Sequence, residues 1–169
     1  MVTLYGVDGP WKGQLAIASR PRGGDWLEDD LRALRAAAVD TLVSLLSGPE
    51  VAELGLAAEQ ALAGSQGIEF VSFPIEDRGV PRTAEAQELL ARIADLLAGG
   101  KSVAVHCRSG IGRSATVVAA ALALAGVPVD IAFQSIEDAR GLSVPDTPQQ
   151  RAWVAEFAET IAPARKAAS

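Results

Sequence analysis

The stretch Ser102-Val103-Ala104-Val105-His106-Cys107-Arg108-Ser109-Gly110-Ile111-Gly112-Arg113-Ser114 constrains this chain more than any other. A short valine-rich run passes straight into a loop with two glycines, and the loop passes into a helix that begins near Arg113. A loop that closes onto a helix N-terminus turns several backbone N–H groups toward one point, where the aligned peptide dipoles also favour negative charge. The spacing therefore predicts an anion cradle formed by Arg108, Ser109, Gly110, Ile111, Gly112 and Arg113. Cys107, the single cysteine of the chain, stands at its mouth. Arg113 follows with a planar fork suited to gripping two oxygens.

The 169 residues, 49% of them hydrophobic and 21% charged, are enough to bury one substantial core. One domain is expected over residues 1–162, with a flexible tail at 163–169. A lone cysteine forms no intrachain disulfide, and the first ten residues lack the basic start and apolar centre of a signal peptide, so a cytoplasmic protein is expected. The longest apolar run, Ala115 to Val129, is broken by Thr116, Gly126 and Pro128 and is too short to span a bilayer, so no membrane insertion is expected. A formal charge of -6 speaks against binding to nucleic acid, which draws its affinity from an excess of cations. Any anion must be captured locally, and Arg78, Arg82, Arg108, Arg113 and Arg140 are the cations that flank the candidate site.

In chain order, Val2 to Tyr5 and Gln14 to Ala18 read as short strands at a sheet edge. Asp25 with Glu28 resembles a cap for a helix over 26–38, faced by Leu27, Leu31 and Leu34. A buried strand over 41–46, two short helices between 49 and 63 and a strand over 68–73 follow. The segment Pro74-Ile75-Glu76-Asp77-Arg78-Gly79-Val80-Pro81 holds too much proline and glycine for regular structure. Thr83 is placed to cap a helix through Leu97, and Gly99-Gly100 stops it. After the anion loop comes a helix apolar on nearly every side, expected at the centre of the fold. Asp130 is placed to cap a helix to Arg140, and a last helix runs from Thr147-Pro148 to about Ile161. Strands alternating with helices predict an α/β fold with a mainly parallel sheet covered on both faces.

A cysteine thiol with an ordinary pKa of about 8.5 is only a few per cent ionised at neutral pH, yet the thiolate is the nucleophile. The helix N-terminus, the loop N–H groups and Arg113 supply the positive potential that Cys107 needs. The same donors would hold the non-bridging oxygens of a phosphate monoester and the charge that develops on them. The departing alkoxide or phenoxide needs an acid. His106 is the only histidine, and strand alternation sends it to the opposite side from Cys107. Asp77 follows the preceding parallel strand and so arrives at the same carboxyl edge of the sheet, with Glu76 as its competitor.

These residues carry a family resemblance. His106-Cys107-x5-Arg113-Ser114 resembles the signature of the cysteine-dependent protein phosphatases. Pro74-Ile75-x-Asp77-x-Gly79-x-Pro81 is similar to the general-acid loop of the kinase-associated phosphatases that act on cyclin-dependent kinases. Thr147-Pro148-Gln149-Gln150 resembles the glutamine-bearing segment of other branches of the superfamily. The resemblance covers residues 13–162 and implies a compact dual-specificity-type domain with the phosphotyrosine protein phosphatase II-like fold. By the same resemblance Cys107 forms a phosphocysteine, Arg113 binds the phosphoryl group and Asp77 protonates the leaving group and later takes a proton from water. Ser114 donates its hydroxyl to the sulfur, His106 supports the loop, and Gln150, or failing it Gln149, places the water. No metal or cofactor is implied.

The substrate expected is a phosphorylated protein or small phosphomonoester, phosphotyrosine with phosphoserine and phosphothreonine. Inositol phosphates or phosphoinositides are the alternative, and a non-catalytic phosphate-binding adaptor is a third reading. The acid loop lacks the Trp-Pro-Asp motif of the tyrosine-specific enzymes, and Ile111 stands where lipid-directed relatives carry a second lysine. Two residues keep a bland alternative: Asp77 before Gly79 also suits a turn, and Gln150 with Thr147 also makes a helix-capping box.

Overall fold

The computed structural model describes residues 1–162 in full and, for 163–168, the helical backbone alone. The tail expected at 163–169 lies outside the fully described residues. The strands are β1 (Leu4–Val7), β2 (Gln14–Ala18), β3 (Thr41–Ser44), β4 (Glu69–Ser72) and β5 (Ser102–His106). The α-helices are α1 (Leu27–Ala36), α2 (Gly48–Glu53), α3 (Glu59–Ser65), α4 (Thr83–Ala98), α5 (Arg113–Leu124), α6 (Val129–Arg140) and α7 (Pro148–Ala168). They form the expected α/β domain around one sheet in the order β1-β2-β5-β3-β4. Only β1 runs antiparallel to its neighbour; the other pairs are parallel, so β3, β4 and β5 all deliver their following loops to one edge.

Alternation along the central strands divides the core. Val103 and Val105 of β5 and Val43 of β3 pack into the layer that holds α4 to α7, whereas Ala104 and Leu42 face the layer with Leu27, Leu31 and Leu34 of α1. α5 is the buried helix that the sequence indicates, with every residue from Arg113 to Ala123 inside. Its alanines let β5, α4, α6 and α7 approach closely, which fixes the position of the loop before it.

Local expectations are corrected at several ends. β3 stops at Ser44 rather than 46, because the Leu45 carbonyl leaves the ladder and accepts the Ile75 N–H of the acid loop at 3.0 Å. Asp25 does not cap α1; Gly24–Trp26 forms a 3-10 turn first and no side chain caps the helix. Thr83 and Asp130 likewise fall inside their helices, after Arg82 and Pro128 at the cap positions, and Asp130 pairs with Arg151 at 2.9 Å. In each case the preceding loop's packing starts the helix a residue or more away from the best capping side chain. Conversely, Ser47 and Glu50 start α2, the Ser47 N–H and hydroxyl both donating to Glu50 Oε2 at 2.9 Å. Among the described residues no helix is long and apolar enough to cross a membrane.

Candidate active site

β5 carries His106 at its last position and Cys107 immediately beyond, where the chain leaves the sheet and wraps onto the first turn of α5. Cys107 is free and buried, and the Gly110 N–H donates to its Sγ at 3.3 Å. Gly110 has φ +71, a conformation that favours glycine, and a Cβ there would press on Ile17 Cγ2 at 3.3 Å. From behind, Arg140 of α6 donates Nε to the Gly110 carbonyl at 2.9 Å and Nη2 to the Ser109 carbonyl at 3.2 Å, with its guanidinium carbon 4.1 Å from the Tyr5 ring centre. A planar peptide points its N–H opposite to its C=O, so tying these carbonyls back aims the N–H groups of the following residues forward. Arg140 thus braces the cradle rather than lining it.

Arg113 opens α5 and is 2% exposed. Its Nη1 and Nη2 each donate to one oxygen of Glu50 at 2.8 Å, a bidentate pair, and Nη1 also donates to the Ile75 carbonyl at 2.9 Å. Nη2 donates in addition to Asp77 Oδ1 at 3.2 Å. Burial acts to lower the Arg113 pKa, but the Glu50 hydrogen bonds and the charges of Cys107, Glu50 and Asp77 outweigh it and the pKa is raised. Glu50 is held at about 2, first by its hydrogen bonds to Arg113, with burial opposing. Glu50 and Arg113 are therefore both charged across the physiological range.

The other expected site residues divide clearly. Asp77 stands at the sheet edge where the strand order puts it and meets Arg113 there, with its side chain 60% exposed; Glu76 is exposed and has no such contact among the described residues. His106 is fully buried on the opposite side from Cys107, with Nδ1 3.2 Å from the Cys107 carbonyl oxygen and Nε2 2.7 Å from Glu59 Oε1. The Ser114 hydroxyl is buried with no hydrogen-bond partner, so its expected bond to the sulfur is not formed in this structure. Gln150 is fully buried and does two things at once. It makes the capping box with Thr147, accepting from the Thr147 N–H at 3.2 Å while its own N–H donates to Thr147 Oγ1 at 3.1 Å, and its Nε2 donates to the Gly79 carbonyl of the acid loop at 3.1 Å. A Cβ on Gly112 would lie 3.0 Å from Gln150 Nε2, which puts this amide against the cradle, whereas Gln149 is exposed.

Arg108 does not reach across the cradle; its fork holds Glu53 at 3.0 and 3.4 Å. Arg82 lies 3.8 Å from Glu85, and Arg78 is exposed with φ +61 in the acid-loop turn. Ile111 is half-buried and Ser109 is exposed. Sequence reasoning missed Glu50, Glu59 and Asp146, whose Oδ2 would stand 2.6 Å from a Cβ on Gly112. Only Glu50 carried a signal, the Ser47-x-x-Glu50 spacing of a capping box. Among the described residues no group of three or more His, Cys, Asp or Glu is arranged to hold a metal ion.

A buried thiol ahead of a glycine loop and an arginine-led helix, on a sheet of this order, is the arrangement that the resemblance to the dual-specificity-type phosphatases leads one to expect. The family model described as "Polymorphic toxin system, DSP-PTPase phosphatase" (Tc-R-P) matches residues 16–127, and the chain belongs to that family. Cyclin-dependent kinase inhibitor 3 of Rattus norvegicus is 24% identical over 138 residues, 80% of this chain and 65% of the rat protein, so the chain spans less than two thirds of that relative's length. A crystal structure of kinase associated phosphatase with its catalytic-site cysteine replaced by serine superposes with a TM-score of 0.87 at 20% identity, over 95% of this chain and 96% of that one. Tk-PTP in its active form superposes with a TM-score of 0.72 at 28% identity, over 88% and 92%. The fold is that of these phosphatases.

Proposed function

We propose that the chain hydrolyses phosphotyrosine, and phosphoserine and phosphothreonine as well, in protein substrates through a phosphocysteine intermediate. The reading is carried by one convergence: Cys107 with the Gly110 N–H at 3.3 Å, and Arg113 held by Glu50 with Asp77 at 3.2 Å, brought together from β5, α5 and the loop after β4.

Glu50 and the Ile75 carbonyl occupy one side of the Arg113 fork, which leaves Nε and, once Asp77 moves away, one Nη2 proton for phosphoryl oxygens. The Cys107 thiolate attacks phosphorus, the bond to the leaving oxygen breaks, and the Asp77 carboxyl gives that oxygen its proton. Water then attacks the phosphocysteine, Asp77 takes the water's proton, and the sulfur departs as thiolate with phosphate released. Ser114, with its hydroxyl otherwise unpartnered, is the donor for the departing sulfur. Gln150, tied to Gly79 of the acid loop, helps to place the water.

The test is release of phosphate from 4-nitrophenyl phosphate, tyrosine- and threonine-phosphorylated peptides and soluble inositol phosphates, with C107S as control. Peptide turnover above inositol phosphate turnover, abolished in C107S, is expected. Turnover that survives in C107S sinks the mechanism, a preference for inositol phosphates reverses the substrate class, and binding of phosphate without any turnover makes the domain an adaptor.

A further inference from the structure

Behind the cradle lies a buried chain of polar groups that the reaction above does not use directly. Glu59, the first residue of α3, and His106 are 2% and 0% exposed, and they meet at 2.7 Å. On its other side the imidazole sits 3.2 Å from the Cys107 carbonyl oxygen. A carbonyl oxygen only accepts, so Nδ1 carries a proton. Nε2 and a carboxylate oxygen at 2.7 Å also require a proton between them, on the ring or on the acid. The Cys107 carbonyl thus selects Nδ1–H, while Glu59, on the far side of the ring, fixes where that N–H points.

We infer that Glu59 is a positioning residue of the phosphatase reaction, acting through His106 on the peptide that joins Cys107 to Arg108. The Cys107 C=O and the Arg108 N–H belong to one planar trans unit and point in opposite directions. With the carbonyl drawn back onto His106, the Arg108 N–H points forward, where it is the first backbone donor of the cradle after the nucleophile. Without Glu59 the ring loses its second anchor and is free to turn about its side-chain torsions. The Nδ1–H then leaves the Cys107 carbonyl, and the peptide, no longer held, turns and takes the donor out of line. Ser44 and Glu59 also line a small hollow of about 130 Å³ between α3 and β4, so the rear of the pair lies next to the surface rather than deep in the apolar core.

The inference rests on the phosphatase reading for its activity arm, and the other arms stand without it. His106 is the only histidine, so the ring nitrogen resonances of uniformly 15N-labelled protein assign themselves. In the wild type Nδ1 should be protonated, and inorganic phosphate should shift the Arg108 amide. Glu59→Ala should shift the Nδ1 resonance as its bond to the carbonyl loosens, weaken the Arg108 response and lower kcat for 4-nitrophenyl phosphate about 10- to 100-fold, the upper figure being the low end of the cost of deleting one donor outright. Glu59→Gln, whose amide can still pair with Nε2 and hold the ring in place, should stay close to wild type in all three. An unprotonated Nδ1 in the wild type overturns the proposal, as does full turnover in Glu59→Ala or a folded Glu59→Gln as impaired as Glu59→Ala. If Glu59→Ala does not fold, the wild-type tautomer and Glu59→Gln decide. Wild-type protein that hydrolyses no phosphomonoester defeats the function above, while the tautomer and the phosphate-induced shift still decide the role of Glu59.

Discussion

Glu50 and Arg113, sixty-three positions apart, face each other across two hydrogen bonds of 2.8 Å, and this pair sets the direction from which the cradle grips an anion. With one edge of the guanidinium taken by the carboxylate, the other, which Asp77 partly covers, is left for an incoming anion. The pair also joins α2 to the start of α5, so the same contact serves stability and binding.

The Glu50 pKa lies near 2 instead of 4.5, chiefly because Arg113 hydrogen-bonds to the charged form. A folded-state value below the unfolded-state one means that the stabilisation is complete above about pH 4.5 and is lost as the pH falls toward about 2. Glu50→Gln should cost about 3 kcal/mol at neutral pH, as expected for breaking a buried pair from one side. Denaturant titrations of both proteins should show the gap narrowing from neutral pH to about pH 3. A gap that stays constant assigns the loss to something other than the ion pair.

Replacing Asp77 by Asn removes the proposed proton donor and a negative charge beside Arg113. Turnover of substrates with poor leaving groups, such as alkyl phosphates, should fall about 100-fold or more, whereas an acidic leaving group such as nitrophenol should lose far less. Inorganic phosphate should inhibit the variant more strongly, because its oxygens no longer compete with a carboxylate for Arg113. Equal losses on both substrate types would point away from Asp77 as the acid.

Gln150 and Thr147 share a capping box, so truncating either to Ala should cost about 1 kcal/mol in thermal or denaturant unfolding. Only Gln150 also bonds to Gly79 and lies against Gly112. Q150A should therefore lower kcat well beyond T147A, and matching kinetics in the two variants would reduce Gln150 to a cap.

Arg140 holds two loop carbonyls and stacks on Tyr5, a task that needs a planar fork. Arg140→Lys keeps the charge but loses one carbonyl and the stacking, and kcat for an aryl phosphate should drop about tenfold through loss of donor alignment. Unchanged turnover would show that Gly110 and Ser109 hold their orientation without it.

Local order was legible wherever one short stretch carries its own physics. The valine run, the two glycines and the apolar helix after Arg113 specify strand, cradle and buried helix without help from elsewhere. The parallel alternation of strands and helices likewise placed the acid loop and the anion loop at one sheet edge, which brought Asp77 to Arg113. Alternation past Cys107 sent His106 to the back.

What the sequence left open depends on which polar groups share the interior. Glu59 sits among alanines and leucines with no local mark, yet topology sets it 2.7 Å from His106, forty-seven positions away. Arg108 and Arg140 read alike as cations near an anion site, but packing ties the first to Glu53 and turns the second onto the loop carbonyls. Ser47 and Glu50 spell a helix start, and only the close approach of α2 to α5 makes the same carboxylate the anchor of Arg113. The sequence by itself determined the loop, its thiol and the arrival of Asp77 at the same sheet edge, because backbone conformation and strand order follow from nearest-neighbour chemistry. The tertiary structure decided which charges hold the cradle in shape, because a buried charge settles on the partner that packing brings within hydrogen-bond reach.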